Sequence, residues 1–270
     1  MIRFLLLFCW PVQLCAQVFM SPFDNAVAST LGGAVVAYPG VQTGLSNDAA
    51  VGLAKAPCVF ASSALPFGLP EWQTASVQAC TNIGKSGGVG VDIQHSGIDT
   101  YQEQQFRLLY GRKLGSKWSL GGSFSFLRVA VPEYGNHNHA TFSMSVLANP
   151  LPKLWIGAKV HNPVQQKSAG YLLPTVLRIG AVWQANAIFS LLGEVEKDLE
   201  RSVQVKLGAE YRVLSSVSLR MGVRTGDAAQ LGFGAGFHLK NGLSIHTGTQ
   251  WHTALGFTPS AALVYSFRPT

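Results

Sequence analysis

The stretch SVQVKLGAEYRVLSSVSLRMGVRTG, Ser202–Gly226, decides the fold class. Val203, Val205, Leu207, Ala209, Tyr211 and Val213 alternate with Ser202, Gln204, Lys206, Gly208, Glu210 and Arg212, so one face is apolar and the other carries charge. Successive side chains leave a β-strand on opposite sides, and a period of two therefore marks a strand with unlike faces. After Leu214-Ser215 the pattern restarts as Val217, Leu219, Met221 and Val223 against Ser218, Arg220, Gly222 and Arg224. It restarts again as Leu231, Phe233, Ala235 and Phe237, and, past Lys240-Asn241, as Leu243, Ile245, Thr247, Thr249 and Trp251. Long strands joined by brief turns belong either to a large soluble barrel or to an outer-membrane barrel.

Composition separates the two. The chain is 47% hydrophobic and only 12% charged, against about 25% charged for an average soluble protein. No run of about eighteen apolar residues follows the first twenty positions, which excludes helical membrane spans. A membrane β-barrel remains, because its lipid-facing residues are diluted by lumenal ones. The formal net charge of +7 does not point to nucleic acid, since the cations alternate singly with apolar residues and form no basic cluster.

The first residues, MIRFLLLFCWPVQLCAQ, combine one early cation, Arg3, with an apolar run from Phe4 to Trp10 and a small residue, Ala16. Residues 1–16 read as a cleaved Sec signal peptide, and the run is too short for an uncleaved anchor. A lipoprotein reading through Cys15 lacks the small residue expected just before a lipidated cysteine. Residues 17–57 are rich in Ala, Gly, Ser and Asn, with a short apolar stretch Gly32–Tyr38 and a site at Asn47 or Asp48 suited to capping a helical turn. Forty residues without a long strand, placed before a barrel, fit a plug folded inside it; a disordered leader is the alternative.

Residues 58–270 hold fourteen strand candidates, at 58–66, 72–80, 87–96, 101–114, 117–131, 138–150, 153–161, 172–184, 187–197, 202–213, 216–225, 229–239, 242–251 and 260–268. An even number suits a single-chain bacterial barrel. Every second link is short, such as Gly115-Ser116, Leu151-Pro152, Ala185-Asn186, Leu214-Ser215 and Lys240-Asn241, while those between tend to be longer, His161–Tyr171 most of all. Short turns face the periplasm and longer loops the outside. One set of faces carries Ile93, Phe106, Leu108, Tyr110, Trp118, Leu120, Phe124, Phe126, Phe142, Met144, Ile156, Leu177, Ile179 and Trp183. The other carries Asp92, Glu103, Arg107, Ser119, Ser123, Ser125, Lys159, Arg178, Glu194, Glu196, Lys206, Glu210, Arg212, Arg220 and Arg224. Charges crowded into a lumen and apolar residues outside are the reverse of a soluble barrel, and Trp118, Tyr110, Trp183 and Tyr211 fall near the short turns, as an aromatic girdle would. The fold expected is all-β: a transmembrane antiparallel barrel of about fourteen strands in the outer membrane of a Gram-negative cell, lipid on its outer face.

Without the signal peptide two cysteines remain. A hairpin centred near position 69 puts Cys58 opposite Cys80, where paired Cβ atoms lie about 4.5–5.5 Å apart. Export permits a disulfide; two unbonded small side chains facing lipid are the alternative.

Several local sequences resemble the PorV/PorQ-like outer-membrane proteins: Gly32-Gly33-Ala34-Val35-Val36-Ala37, Asn47-Asp48-Ala49-Ala50 followed by Ala56-Pro57, Pro66-Phe67-Gly68-Leu69-Pro70-Glu71-Trp72, Tyr110-Gly111-Arg112-Lys113-Leu114 and His161-Asn162-Pro163. That family is similar in turn to the fourteen-stranded FadL-type fatty-acid transporters, whose N-terminal segment plugs the barrel. The resemblance implies a non-enzymatic barrel linked to type IX protein secretion or surface-protein attachment, with secretion-system proteins as partners. The alternative is a FadL-like transporter of small hydrophobic compounds, and a structural barrel without cargo is a third reading. One departure stands out: the family often ends its plug in Asn-Pro-Ala, whereas this chain has Lys55-Ala56-Pro57.

Chemistry is thinly represented. Glu194, Glu196, Lys206, Glu210, Arg212 and Arg220 lie on neighbouring strands as a lumenal charge network, which structural pairing explains better than catalysis. Ser123, Ser125, Ser143 and Ser145 alternate along lumen-facing strands, and no Gly-x-Ser-x-Gly elbow accompanies them. His137 and His139 share a strand face, but no third metal ligand is local, and an outer loop is the expected setting. The loop His161–Tyr171 is polar and exposed by composition, a place for partner contact. No catalytic residue, cofactor or metal site is expected. A lumen rich in Ser, Gly, Gln and charge lacks the continuous apolar pocket a hydrophobic cargo needs, unless the Ala- and Val-rich parts of the plug line one.

Overall fold

The computed structural model describes residues 24–132, 135–165, 167–168 and 171–267. The expected signal peptide, 1–16, and residues 17–23 lie outside them. Fourteen strands close an antiparallel barrel. In chain order they are β1 (Cys58–Ala64), β2 (Gln73–Asn82), β3 (Gly88–Ile98), β4 (Tyr101–Leu114), β5 (Trp118–Val131), β6 (Gly135–Leu151), β7 (Leu154–His161), β8 (Val176–Gln184), β9 (Phe189–Asp198), β10 (Gln204–Leu214), β11 (Val217–Arg224), β12 (Gln230–His238), β13 (Leu243–His252) and β14 (Gly256–Ser266). Each pairs with its sequence neighbours, and β1 pairs with β14 from Cys58↔Ser266 to Ala64↔Ser260, which leaves no edge strand.

Alternation fixes the register, because a slip of one residue would exchange lipid and lumen faces along a whole strand. On β5, Trp118, Leu120, Phe124 and Phe126 are exposed on the outside while Ser119, Ser123 and Ser125 are buried within. That outward apolar run ends at Arg128, and on β4 the run Phe106–Tyr110 ends at Arg112. From Trp118 to Phe126 the run spans roughly 20 Å along the axis, at about 3.3 Å per residue and a tilt of about 40°. Tyr110, Trp118, Trp183 and Tyr211 stand outward near the short turns.

Strand ends differ from expectation in several places. β3 and β4 extend until only residues 99–100 separate them, β6 begins at Gly135, and β14 begins at Gly256 instead of 260, leaving residues 253–255 as its link. The asymmetry of link lengths therefore rests mainly on residues 65–72 and 162–175. In the second of these, Lys167–Ser168 pairs with Tyr171–Leu172 as a small separate hairpin, so the strand expected from 172 starts only at Val176. His137 and His139 lie inside β6, not in a loop, because the β5–β6 pairing continues to Val131↔Gly135.

Inside the barrel runs the segment 24–57. It holds a five-residue helix α1 (Ala26–Thr30), capped by the Asn25 side chain accepting from the Val27 and Ala28 amides. A 3₁₀ turn follows at Asp48–Leu53, capped by Asn47 accepting from the Ala49 amide. Leu31, Ala34, Val35 and Val36 are buried with Phe60, Val182, Leu192, Ala262 and Val264 in the largest apolar cluster. The core of this protein is the contact between inner segment and wall.

Candidate functional site: the occupied lumen

Four polar groups join the inner segment to the barrel. Asp48, with a fully buried side chain, meets Lys159 Nζ of β7 at 2.9 Å and Arg107 Nη1 of β4 at 3.7 Å, and accepts a hydrogen bond from the Ser143 hydroxyl of β6. Arg107 also pairs with Asp92 at 2.7 Å and donates to the Leu45 carbonyl. Burial pushes the Asp48 carboxyl up, but the charges of Lys159 and Arg107 and the Ser143 hydroxyl overcome it and hold the group below the ordinary carboxylate range.

The second group lies on β8, β9 and β10. Arg178 Nε stands 2.6 Å from Glu194 and 3.3 Å from Glu196, and Lys206 Nζ stands 3.3 Å and 2.6 Å from the same two carboxylates. Glu194 accepts from the Val36 amide at 2.8 Å, and Arg178 donates to the Gly33 carbonyl at 2.9 Å. In the third group Arg220 pairs with Glu210 at 3.0 Å, Tyr38 donates its hydroxyl to Glu210 at 2.9 Å, and His246 lies 3.1 Å from Arg220. The Tyr38 phenol is shifted upward, first by burial and then by the Glu210 charge. In the fourth, Arg224 pairs with Asp24 and donates to the Gly32 carbonyl.

Of the six charges read as a network, Glu194 and Glu196 both meet Lys206 and Glu210 meets Arg220, whereas Arg212 is exposed at the short-turn end and joins neither group. Buried pairs contribute little net stability, yet removing one partner strands the other in a dry site. Here each group also binds the inner segment's backbone or side chains, so the pairs fix its position. Asp24, Tyr38 and Asp48 were not foreseen as their partners. The available signal was two acids, Asp24 and Asp48, standing in a segment otherwise nearly free of charge.

Between the charges the wall is glycine. A Cβ at Gly121 would strike the backbone of Asp48 and Ala49, and one at Gly222 that of Leu31 and Gly32. Gly157 meets Val36 and Ala37 in the same way, and Gly232 meets Ser29 and Thr30. Backbone therefore lies against backbone around most of the bore.

Cavities remain at both mouths of the lumen, among them one of about 210 Å³ on the long-loop side beside Asp24, Phe67, Arg224 and His252. At the long-loop mouth a vestibule of about 70 Å³ has a mixed lining, Leu127, Leu173 and Val176 together with Asp92, Glu103, Arg107, Lys159 and Arg178. That volume suits a few waters, well below the 300–1,000 Å³ of an ordinary ligand pocket. At the short-turn mouth an open bay of about 700 Å³ is lined by Pro39, Leu53, Ala54, Lys55, Lys113 and Trp155.

Of the serines read as alternating on the lumen face, Ser123, Ser143 and Ser145 are committed to the segment or to each other, while the Ser125 hydroxyl is buried without a hydrogen-bond partner. Ser123 and Ser143 hydroxyls lie 2.7 Å apart, and Ser145 accepts from the Ala49 amide at 3.0 Å. Ser143 gives its proton to Asp48 directly, a structural hydrogen bond and not a nucleophile–base pair. Among the described residues no three His, Cys, Asp or Glu side chains converge as metal ligands. Asn162, in the loop expected to be exposed, is fully buried, accepting from Thr141 and donating to the Leu173 carbonyl. Cys58 and Cys80 are direct cross-strand partners with sulfurs 2.9 Å apart, both buried against Leu45, Val51 and Ala54. They face the inner segment, which corrects the lipid-facing alternative: Phe60, two residues on from Cys58, shares its inward face.

No protein-family model matches this sequence, and no curated protein matches it. Solved structures do. A FadL homologue of Pseudomonas aeruginosa superposes with a TM-score of 0.75 at 11% identity, over 92% of this chain and 99% of that one. The toluene transporter TodX of P. putida gives 0.70 at 9% identity over 91% and 99%. The monoaromatic hydrocarbon channel CymD gives 0.68 at 10% identity over 91% and 98%. At such identities the likeness concerns the fold alone: a closed fourteen-stranded antiparallel barrel of the FadL type.

Proposed function

We propose that this chain is a non-enzymatic outer-membrane barrel that admits small hydrophobic compounds, with residues 17–57 as the plug that gates it. The observation that carries this reading is the ion-paired segment that separates cavities at the two mouths of the barrel. A vestibule of mixed polar and apolar lining opens on the long-loop face and a larger bay on the short-turn face. Passage requires the segment to shift, since its residues are packed against the wall between those cavities. The fold shared with a toluene transporter and a monoaromatic hydrocarbon channel supports a ligand of that character. The test is uptake of a labelled monoaromatic hydrocarbon and a fatty acid by vesicles carrying the protein; uptake no faster than into empty vesicles sinks the reading.

A second reading keeps type IX secretion or surface-protein attachment as the task, with secretion-system proteins as partners. It is favoured by the backbone-on-backbone contacts at Gly121, Gly157, Gly222 and Gly232, which suit a barrel that works from its surface. Unchanged secretion of surface proteins in a deletion strain rejects it. In either reading the Cys58 and Cys80 thiols close to a disulfide after export, giving two electrons and two protons to the disulfide of an exported oxidoreductase.

A further inference from the structure

The two ends of the barrel differ in charge. The six short-turn links carry Lys85, Lys117, Lys153 and Lys240 and no carboxylate. Among the described residues the long-side links carry Glu71, Asp99, Glu200 and Asp227 against Lys167 and Arg201. In the sector from β4 to β7, the cations Arg112, Lys113, Lys117 and Lys153 form no ion pair among the described residues. Arg112 points outward between Tyr110 and Leu114, so this guanidinium sits on the lipid side of the wall, at the edge of the apolar belt.

Beside these cations the belt is notched. Ala148 lies on the outward face of β6 but is only 7% exposed, because it sits between Trp118 of β5 and Ile156 of β7. Small side chains, Ala148 and Ala158, form the floor of a groove of about 240 Å³, with Trp118, Val146 and Ile156 beside them and Lys117 at its rim. The register shift between Ala148 and Leu151 places Pro150 at the groove's end.

We propose that this sector binds a phospholipid with an anionic headgroup, its phosphate held by Arg112 and Lys117 and one acyl chain laid in the Ala148 groove. An acyl chain fills an apolar notch that a solvated protein partner would leave wet, and a guanidinium beside Trp118 and Tyr110 stands at headgroup depth. The inference rests on the bilayer reading of the outer face.

The test is native mass spectrometry of the full chain released from vesicles of equal phosphatidylglycerol and phosphatidylcholine. Retained phosphatidylglycerol is expected to exceed phosphatidylcholine, each cation contributing about fivefold. The double variant R112Q/K117Q brings the ratio to about one, whereas R112K/K117R keeps it. Ala148→Leu, which fills the groove, lowers retention of both lipids, and Arg128→Gln at the opposite end of β5 changes neither. A ratio near one in the natural sequence, an unchanged ratio in R112Q/K117Q, or an equal loss in Arg128→Gln overturns the site. Failure of the natural sequence to insert into the vesicles overturns the bilayer reading as well, and a heat-dependent shift in gel mobility shows that each variant has folded.

Discussion

Asp48 and Lys159 meet at 2.9 Å in the lumen, the acid carried by the segment that precedes the first strand and the ammonium by β7. Both are buried, and the nearest other charge is Arg107. Replacing Asp48 by Ala leaves Lys159 without its carboxylate in a closed space, while Arg107 keeps Asp92. The expected loss is about 3–5 kcal/mol of segment docking, read as faster proteolysis within residues 24–57 and larger single-channel conductance. Conductance and cleavage equal to the parent protein would refute the anchoring role.

The same carboxylate sets a pH dependence. Its folded-state pKa lies below the ordinary value of 3.8, so its contribution is present above that value and disappears as pH falls through the lower, folded one. Conductance is therefore expected to stay constant from neutrality down to about pH 4 and to rise below it. In Asp48→Asn this acid step should vanish; its persistence would assign the step to another group.

Contact at the glycine wall gives a prediction of opposite sign to a cavity. Gly222→Leu forces a side chain into the space held by Leu31 and Gly32, and overpacking of this kind costs about 1–3 kcal/mol or more. The barrel should still close, since its strand pairing is untouched, while the inner segment becomes protease-sensitive. A substitution that leaves the segment protected would mean that the wall yields there.

For Cys58 and Cys80, protein isolated from cells under thiol-blocking conditions should carry no alkylated cysteine until it is reduced. Closing the loop between them is expected to stabilise the fold by about 3 kcal/mol, and Cys80→Ser should lose that amount in denaturant. Quantitative alkylation without reduction would rule out the bond.

The barrel was legible from Ser202–Trp251 because each strand there must satisfy lipid on one side and polar groups on the other, and that demand is written one residue at a time. Strand ends were less so: β14 begins at Gly256, ahead of the expected 260, because pairing with the preceding strand continues past Thr249↔Pro259 to Trp251↔Phe257 and His252↔Gly256. The lumen was legible in its charges but not in its partners. Glu194 and Lys206 share neighbouring strands and could be paired from register, while Tyr38–Glu210 and Asp48–Lys159 join positions more than a hundred residues apart. Lumen-facing glycines such as Gly121 and Gly157 look like weak strand positions in the sequence, and only the inner segment lying against them gives their reason.

The glycine wall has a consequence for the order of assembly. The inner segment passes straight from Pro57 into Cys58 of β1, the strand that seals the cylinder by joining β14. With backbone touching backbone at Gly121, Gly157, Gly222 and Gly232, a finished cylinder offers no clearance for threading this segment afterwards. The curved sheet must wrap around its contents and zip its seam last, so the early part of the chain acts as the mandrel on which the later strands are wound.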